Sequence, residues 1–567
     1  MSTTTAPRRA PRPILVAVAW PYANGLQHLG HIAGAYLPAD VFARYHRVAG
    51  NRVLMVSGSD AHGTPITVKA DQEGVDPVEI VNRYHPKFLE QWDRLGISFD
   101  MFTTTMTDNH RAVVHEVFNI LGDNGYITRG TSEQFFDPQA KRFLPDRYVE
   151  GTCPHCGYSS ARGDQCDQCG RTLDPQDLVE PRSRLTGATP VTRDSEHYFL
   201  QLSQLEQPLL EWLETREGWR AHVLNWSIQF VRDGLRDRAI TRDLTWGVPL
   251  PPGTDLDGDK RIYVWFEAVI GYLSASREWA HERGEPDAWK DFWQDPDAAS
   301  YYFIGKDNIP FHTVVWPAML IGCGGLNLPT DVPANQYVTF RGAKASKSRG
   351  VGRSALAYLD QFEPDALRYA LASNLPEQQD TDLTDDEIVR RINDELVAAW
   401  GNLVHRVLTM TSRNFGDEVP QPGDLDDDDS ALLDHIEATL EQQATLLERV
   451  ELRAGLRAAM HAAQETNAYL NRKEPWRTAK TDRQRTATTL FVALNAINGL
   501  KVALYPYLPF SSTALHTMLG QSGTIEDGGW RRVALHPGTP LSPRGPLYRK
   551  VDVVEVDVDE EADAAAG

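Results

Sequence analysis

Residues 14–57 read ILVAVAWPYANGLQHLGHIAGAYLPADVFARYHRVAGNRVLMVS. Ile14 to Trp20 is an apolar run of strand length, stopped by Pro21. The Pro21-Tyr22-Ala23-Asn24-Gly25 stretch that follows has the residues of a turn. From about Leu29 to Tyr45 the apolar residues Ile32, Tyr36, Leu37, Val41, Phe42 and Tyr45 fall at helical spacing. Arg52 to Ser57 returns to a strand. Strand, helix and strand in so short a span predict a βαβ unit of a parallel sheet, in which ligands bind beyond the carboxyl ends of the strands.

The same stretch bears on targeting. Arg8-Arg9 ahead of an apolar run imitates an export signal, but the run ends at Pro21 and no A-x-A-like site follows. The reading is therefore a buried first strand behind a frayed tail at residues 1–12, in a cytoplasmic protein. No apolar run in the sequence approaches the ~20 residues of a membrane helix. A chain of 567 residues exceeds one ordinary core, so several domains are expected. The net charge of -21 argues against generalised nucleic-acid binding, although a sum says nothing of local patches.

His28-Leu29-Gly30-His31 falls where the turn feeds the helix. Free backbone N–H groups and the helix dipole favour anions there. Gly30 allows a ligand close to the backbone, and two imidazoles can donate to phosphate oxygens. Two ordinary turn histidines would give the same four residues. Far along the chain, Lys344-Ala345-Ser346-Lys347-Ser348 lies between Gly342 and Gly350. Such a cationic loop can close on a triphosphate and neutralise developing charge. Alone it also reads as a solvated surface loop.

Four of the five cysteines crowd into two C-x-x-C pairs, Cys153/Cys156 and Cys166/Cys169. Four thiolates suit a closed, tetrahedral structural zinc. His155 is a weaker ligand candidate inside the first pair, and Cys323 stands apart as a buried thiol. After about Thr384 the chain turns helical, with Ile388, Ile392, Leu396, Trp400, Leu403, Val407 and Met410 in one stripe. Asp424 to Asp429, with five acids in six residues, reads as a solvated linker between helices.

The two motifs, in this order, resemble the paired signatures of the class I aminoacyl-tRNA synthetases, with Leu29 and Ala345 at positions where those signatures carry Ile and Met. Further stretches resemble the methionyl-tRNA synthetases in particular: residues 19–25 (AWPYANG), 60–66 (DAHGTPI), 263–268 (YVWFEA), 305–307 (GKD), Phe311-His312 and 316–318 (WPA). The resemblance runs from residue 14 to about 550. It implies activation of L-methionine by ATP, with magnesium, and transfer to the 3′ end of tRNA(Met). By this resemblance His28, Gly30 and His31 bind ATP, as do Asp307, Lys344, Ser346 and Lys347. Of these, His28, His31, Lys344 and Lys347 are catalytic, because the substrate carboxylate attacks and no protein nucleophile is needed. Ala19, Tyr22, Asp60, Trp265, Ala268, Tyr272 and His312 form the methionine pocket, with Asp60 on the ammonium. Asn402, Arg406 and Trp476 match the anticodon-reading residues.

Two positions depart from the family pattern at the pocket's edge: Trp20 where leucine is usual, and Val269 where some relatives have proline. The resemblance also implies a body ending near Tyr548 with no appended RNA-binding barrel, hence a monomer. An acidic tail follows, with seven acids and no Lys or Arg in 551–567. The expected fold is α/β: a Rossmann-like parallel-sheet catalytic domain with a zinc-knuckle insertion, followed by an α-helical anticodon-binding bundle. The expected boundaries are 1–12 for the tail, 13–114 and 241–383 for the two catalytic halves, 115–240 for the insertion, 384–535 for the bundle, and 536–567 for the extension. A class I synthetase for another amino acid, or a catalytically silent tRNA-binding paralogue, are the rival readings.

Overall fold

A computed structural model describes residues 11–552 except 164, 165, 167, 170, 172, 255, 257, 341, 342 and 345–352. Five parallel strands make the central sheet: β1 (Pro13–Val18), β2 (Arg52–Ser59), β3 (Met101–Thr104), β4 (Ala299–Gly305) and β5 (Ala334–Asn335). Their order is β5-β4-β1-β2-β3. Val18 lies opposite Phe303, and Ala17 opposite Val56. Every residue of β1 is buried, as a central parallel strand covered on both faces requires. The strand order reverses beside β1. The loops after β1, β2, β4 and β5 therefore open onto one crevice.

The helix after β1 is not uniform. A short α turn at Leu29–His31 runs into a π-helical turn at Ile32–Tyr36 and then into α1 (Leu37–Val48). Such wide turns gather at functional positions. This one lets the Tyr36 hydroxyl donate to the Ala19 carbonyl at 3.1 Å, behind the end of β1. A second lies at Phe311–Val315 and a third at Arg391–Gly401.

Between β3 and β4 the chain builds other sheets. Strands Ile127–Asp137 and Val191–Leu200 form a long antiparallel ribbon, paired from Ile127↔Leu200 to Phe136↔Val191. The cysteine pairs lie between them in sequence, on a small three-stranded sheet. The chain returns through Lys260–Ile262 and then α2 (Val264–Glu282). Trp265 thus opens a helix, where the sequence pattern of residues 261–265 predicts a strand.

The C-terminal helices are α3 (Pro364–Ala372), α4 (Asn402–Phe415), α5 (Asp427–Glu448), α6 (Leu452–Lys473) and α7 (Arg483–Leu504). α7 has a mean hydropathy of 1.4 over its most apolar window and is long enough to cross a membrane. It is instead the core of the bundle, buried on every face from Thr486 to Leu504 except at Phe491. The acidic run before it in sequence is not a free linker. Asp426 caps α5, and fully buried Asp429 accepts from the Tyr469 hydroxyl at 2.7 Å and from Arg485.

A fully buried ion pair sits where the sheet side meets the bundle. Arg368 donates to Asp40 at 2.7 Å, with both side chains at 0% exposure. The guanidinium also donates to the carbonyls of Tyr507 (2.7 Å), Pro506 (2.9 Å) and Leu95 (3.1 Å). Asp40 further accepts from Arg44 and from the backbone and hydroxyl of Ser98. Burial alone would push the Asp40 carboxyl up, but Arg44, Arg368 and Ser98 hold it down at about 2.

Arg368→Met leaves the buried Asp40 carboxylate with only Arg44 and Ser98, and breaking one side of a buried pair costs up to about 3–5 kcal/mol. A clear drop in the thermal unfolding midpoint is expected. The folded Asp40 pKa lies below the ordinary 3.8. Its contribution is therefore full above that value and is lost as pH falls through about 2. Acid unfolding of the variant should begin at a higher pH than in the parent.

Candidate active site and cysteine cluster

His28 is extended and closes the turn, and its carbonyl accepts from the backbone N–H of His31 at 3.0 Å. The two imidazoles lie 3.7 Å apart between centroids. The His28 backbone N–H donates to His31 Nδ1 at 3.3 Å. In a neutral His31 ring the proton is then on Nε2, the nitrogen able to donate to a ligand oxygen. A Cβ at Gly30 would lie 2.9 Å from the His28 ring and would push that ring aside.

The second motif arrives at the same place. Ala343–Lys344 pairs antiparallel with Thr339 and Phe340. Ser354 forms an antiparallel bridge with His28, and Ala355 N–H donates to the Gln27 carbonyl at 2.7 Å. Both ends of the cationic segment therefore stand beside the His28 turn. Ser346 and Lys347, like the Lys344 side chain, lie outside the described residues.

A cavity of about 930 Å³ opens at the carboxyl ends of β1, β2 and β4. Ala19, Tyr22, Asp60, Trp265, Ala268, Tyr272 and His312 all line it, together with His28, Gly30, His31 and Asp307. Trp265 stacks flat on Phe311 (3.8 Å, 10°) and meets Tyr22 edge-on (6.3 Å, 81°). His312 lies in the second π turn. Its Nδ1 donates to the Asn308 carbonyl at 2.9 Å, which leaves Nε2 to accept from the Tyr272 hydroxyl at 2.7 Å. Burial holds the His312 ring neutral, with its pKa pushed down to about 4.

Asp60 is 3% exposed, and burial followed by the charge of Glu267 pushes its carboxyl up to about 8. An arriving cation reverses that balance, so this wall is built to take a positive group. Asp307 accepts from the Tyr337 hydroxyl. The Trp20 indole fills a slot opened by two glycines, since a Cβ on Gly58 or Gly271 would lie 2.4 or 2.8 Å from it. Val269 is 2% exposed and lines the cavity, as Trp20 does.

Phe311, Tyr337 and Arg242 also line the cavity. Sequence reasoning did not single them out as site residues. Phe311 sits inside a stretch that resembles the family, beside His312. Arg242, over the Tyr263 ring at 3.7 Å, has no local sequence signal.

The four cysteine sulfurs lie within 4.8 Å of one another. Cys153 and Cys169 are 3.9 Å apart, and Cys156 and Cys166 are 3.6 Å apart. Gly157 turns at φ 75, and its N–H donates to the Cys153 carbonyl at 3.0 Å. His155 Nδ1 instead takes the Arg171 guanidinium at 3.2 Å. Cys323 is partly buried and apart from the cluster.

Comparison with known proteins is decisive. Residues 14–408 match the family described as tRNA synthetases class I (M), and residues 419–562 match the anticodon binding domain of methionyl tRNA ligase. The methionine–tRNA ligase of Roseiflexus castenholzii is 53% identical, over 96% of this chain and 97% of its own length. That of Thermomicrobium roseum is 50% identical over the same shares. The chain belongs to the methionyl-tRNA synthetases. A Mycobacterium tuberculosis methionyl-tRNA synthetase bound by methionyl-adenylate superposes with a TM-score of 0.79 at 27% identity, covering 95% of this chain and 100% of that one.

In this methionyl-tRNA synthetase family member, the segments around Asn402, Arg406 and Trp476 meet at the bundle surface. Arg406 lies over the Trp476 ring at 4.5 Å and donates to Asn471 at 3.2 Å. Asn402 is exposed one turn before Arg406 on α4. Trp476 is 40% exposed, which is unusual for a tryptophan beside a helix bundle. Lys473, three residues before it, is held by Asp426 at 2.7 Å. The acidic run thus anchors the turn that presents Trp476.

The neutral, doubly bonded His312 gives a direct check. Its folded pKa of about 4 lies below the ordinary 6.5, so its ring signals should not titrate between pH 5.5 and 8. Histidine-detected NMR, assigned with a His312→Gln variant, reads this. A ring titrating near 6.5 would remove the assigned tautomer.

Proposed function

We propose that the chain activates L-methionine with ATP and transfers it to the 3′ end of tRNA(Met), with the cavity above β1, β2 and β4 as the site of both steps. One observation carries the reading: a phosphate-suited helix start and an aromatic pocket with a buried carboxylate line one cavity, and Ser354, just past the two-lysine segment, bridges to His28 at its rim.

The chemistry assigned to each group follows from its position. His28 and His31 donate to the ATP phosphates, and Gly30 lets them approach the backbone. Asp307 accepts from the ribose. Asp60 takes the methionine ammonium, and Trp265, Tyr22, Tyr272 and His312 surround the thioether, which favours aromatic contact. The Ala19 and Ala268 side chains leave room beside it. The methionine carboxylate then attacks the α-phosphate, and pyrophosphate departs. Lys344 and Lys347, with the Ser346 hydroxyl, neutralise charge developing on the phosphates. Catalysis is positioning and electrostatics. Magnesium enters with ATP and screens its phosphate charge.

Asn402, Arg406 and Trp476 are the proposed anticodon contacts, with residues 384–535 as the tRNA-reading body. The cysteine cluster is the proposed zinc site. Tetrahedral Zn–S bonds of ~2.3 Å place the sulfurs about 3.8 Å apart. The spacings of 3.6 and 3.9 Å between the paired sulfurs fit that geometry. With four thiolates the site is closed, so its role is structural.

Pyrophosphate–ATP exchange measured across the twenty amino acids tests the function. Methionine should drive it, and homocysteine weakly, because one methyl group gives a pocket only ~1–3 kcal/mol of discrimination. Exchange driven by another amino acid, or none at all, would overturn the reading. Trp476→Ala should weaken tRNA charging by the stacking contribution of ~1–3 kcal/mol while leaving exchange intact, since exchange needs no tRNA. Elemental analysis of protein purified without added metal should find one zinc per chain, and Cys166→Ser should lose it.

A further inference from the structure

Glu267 is fully buried in the first turn of α2, on the same helix as Trp265, Ala268 and Tyr272. It does not line the cavity. Its two carboxylate oxygens lie 3.0 and 3.2 Å from Nδ1 of His62. One of them also faces Nε2 of buried His110 at 3.6 Å. The His62 side chain is 9% exposed; burial would push its pKa down, but the Glu267 charge raises it. His62 and Glu267 therefore form a charge-assisted hydrogen bond behind the pocket.

That pair fixes the loop that carries Asp60. The Trp246 indole N–H donates to the Ala61 carbonyl at 2.8 Å, and Ala61 N–H donates to the Thr105 hydroxyl at 2.9 Å. His62 N–H donates to the Asp60 carboxylate at 3.3 Å. Gly63 has no room for a side chain, since a Cβ there would lie 2.1 Å from the Tyr22 ring. The Asp60 backbone is bridged to the turn after β1 through Pro21 and Ala23, the loop is pinned from β3 and from the Trp246 segment, and Glu267 alone of these contacts reaches it from the helix that bears the aromatic wall.

We propose that Glu267 is a positioning residue of the amino-acid pocket: by gripping His62 it fixes how far the Asp60 carboxylate stands from Trp265 and Tyr272, and so the span an α-amino acid must bridge between its ammonium and its side-chain tip. The inference rests on the reading of Asp60 as the ammonium partner. Glu267 never touches the ligand and acts through His62.

The test compares two ligands that differ only at the ammonium: L-methionine and its α-hydroxy analogue. Calorimetry on the full chain with Glu267→Gln should show methionine binding weakened about tenfold or more, the scale of one misplaced charge-assisted bond. Binding of the hydroxy analogue and of ATP should change by less than about twofold, within the effect of a neutral contact. His62→Asn should give the same selective loss, and the double variant should be no weaker than either single one. His62→Asn decides the matter if Glu267→Gln fails to fold. Equal loss for both ligands, or additive losses, would reduce Glu267 to packing and overturn the proposal. Asp60→Asn measured alongside separates the two claims. If it spares methionine binding, the ammonium reading falls; if it abolishes selectivity while Glu267→Gln does not, only this inference falls.

Discussion

The architecture turns on the buried contact between Asp40 and Arg368. Asp40 sits on the helix that begins at His28, and Arg368 stands among carbonyls from the far end of α7 and from Leu95. An isolated charge at either place would be intolerable in an apolar interior. Both partners lie within the span that matches the synthetase family, and the guanidinium reaches the bundle through the Pro506 and Tyr507 carbonyls. The helix that follows the His28 turn and the chain just past α7 thus share one seat. The contact is worth little against an apolar substitute, but it has only one geometry. It specifies how the two halves meet.

The site follows the same logic of position before chemistry. The His28 turn after β1, Asp60 after β2 and Asp307 after β4 come from separate parts of the sequence, yet each lies beyond the carboxyl end of a parallel strand. The sheet gathers them without any of them contacting another in sequence. What remains for side chains is local: the Asn308 carbonyl sets the tautomer of His312, and the Gly58 and Gly271 gaps admit the broad Trp20 indole. The Trp20 indole thus occupies space that a side chain at either glycine would fill.

Much of this was legible from residue order. The βαβ reading of residues 14–57, the two phosphate motifs and the cysteine spacing each have a short-range physical signature, and the structure places the first at the sheet centre and the cysteines within metal-binding reach. The misses share a cause. Asp424 to Asp429 looked like a solvated charge run because its partners, Tyr469, Lys473 and Arg485, are far away in sequence. Trp265 looked like part of a strand because five residues cannot separate a buried strand from the start of a buried helix. Glu267 lies within the 263–268 stretch, where nothing local in sequence says that this acid faces a histidine from the loop after β2. The stripe at Ile388, Ile392, Leu396 and Trp400 did hold a clue: repeated spacings of four exceed the 3.6 of an α-helix and suit the π-helical stretch found there.

That wide winding carries a consequence for length. A π turn is an α-helix that has absorbed an extra residue. Each residue advances an α-helix by about 100°, so an unabsorbed one would swing everything beyond it by more than a quarter turn. At Ile32–Tyr36 the excess is taken up locally, and Asp40 still faces Arg368. The segment is consequently asymmetric toward insertion and deletion. Losing one residue there lets the turn tighten to ordinary winding with the downstream face unmoved, whereas gaining one finds the slack already spent. A length change that would be neutral in a surface loop becomes, at this point, a rotation of the whole interdomain seat.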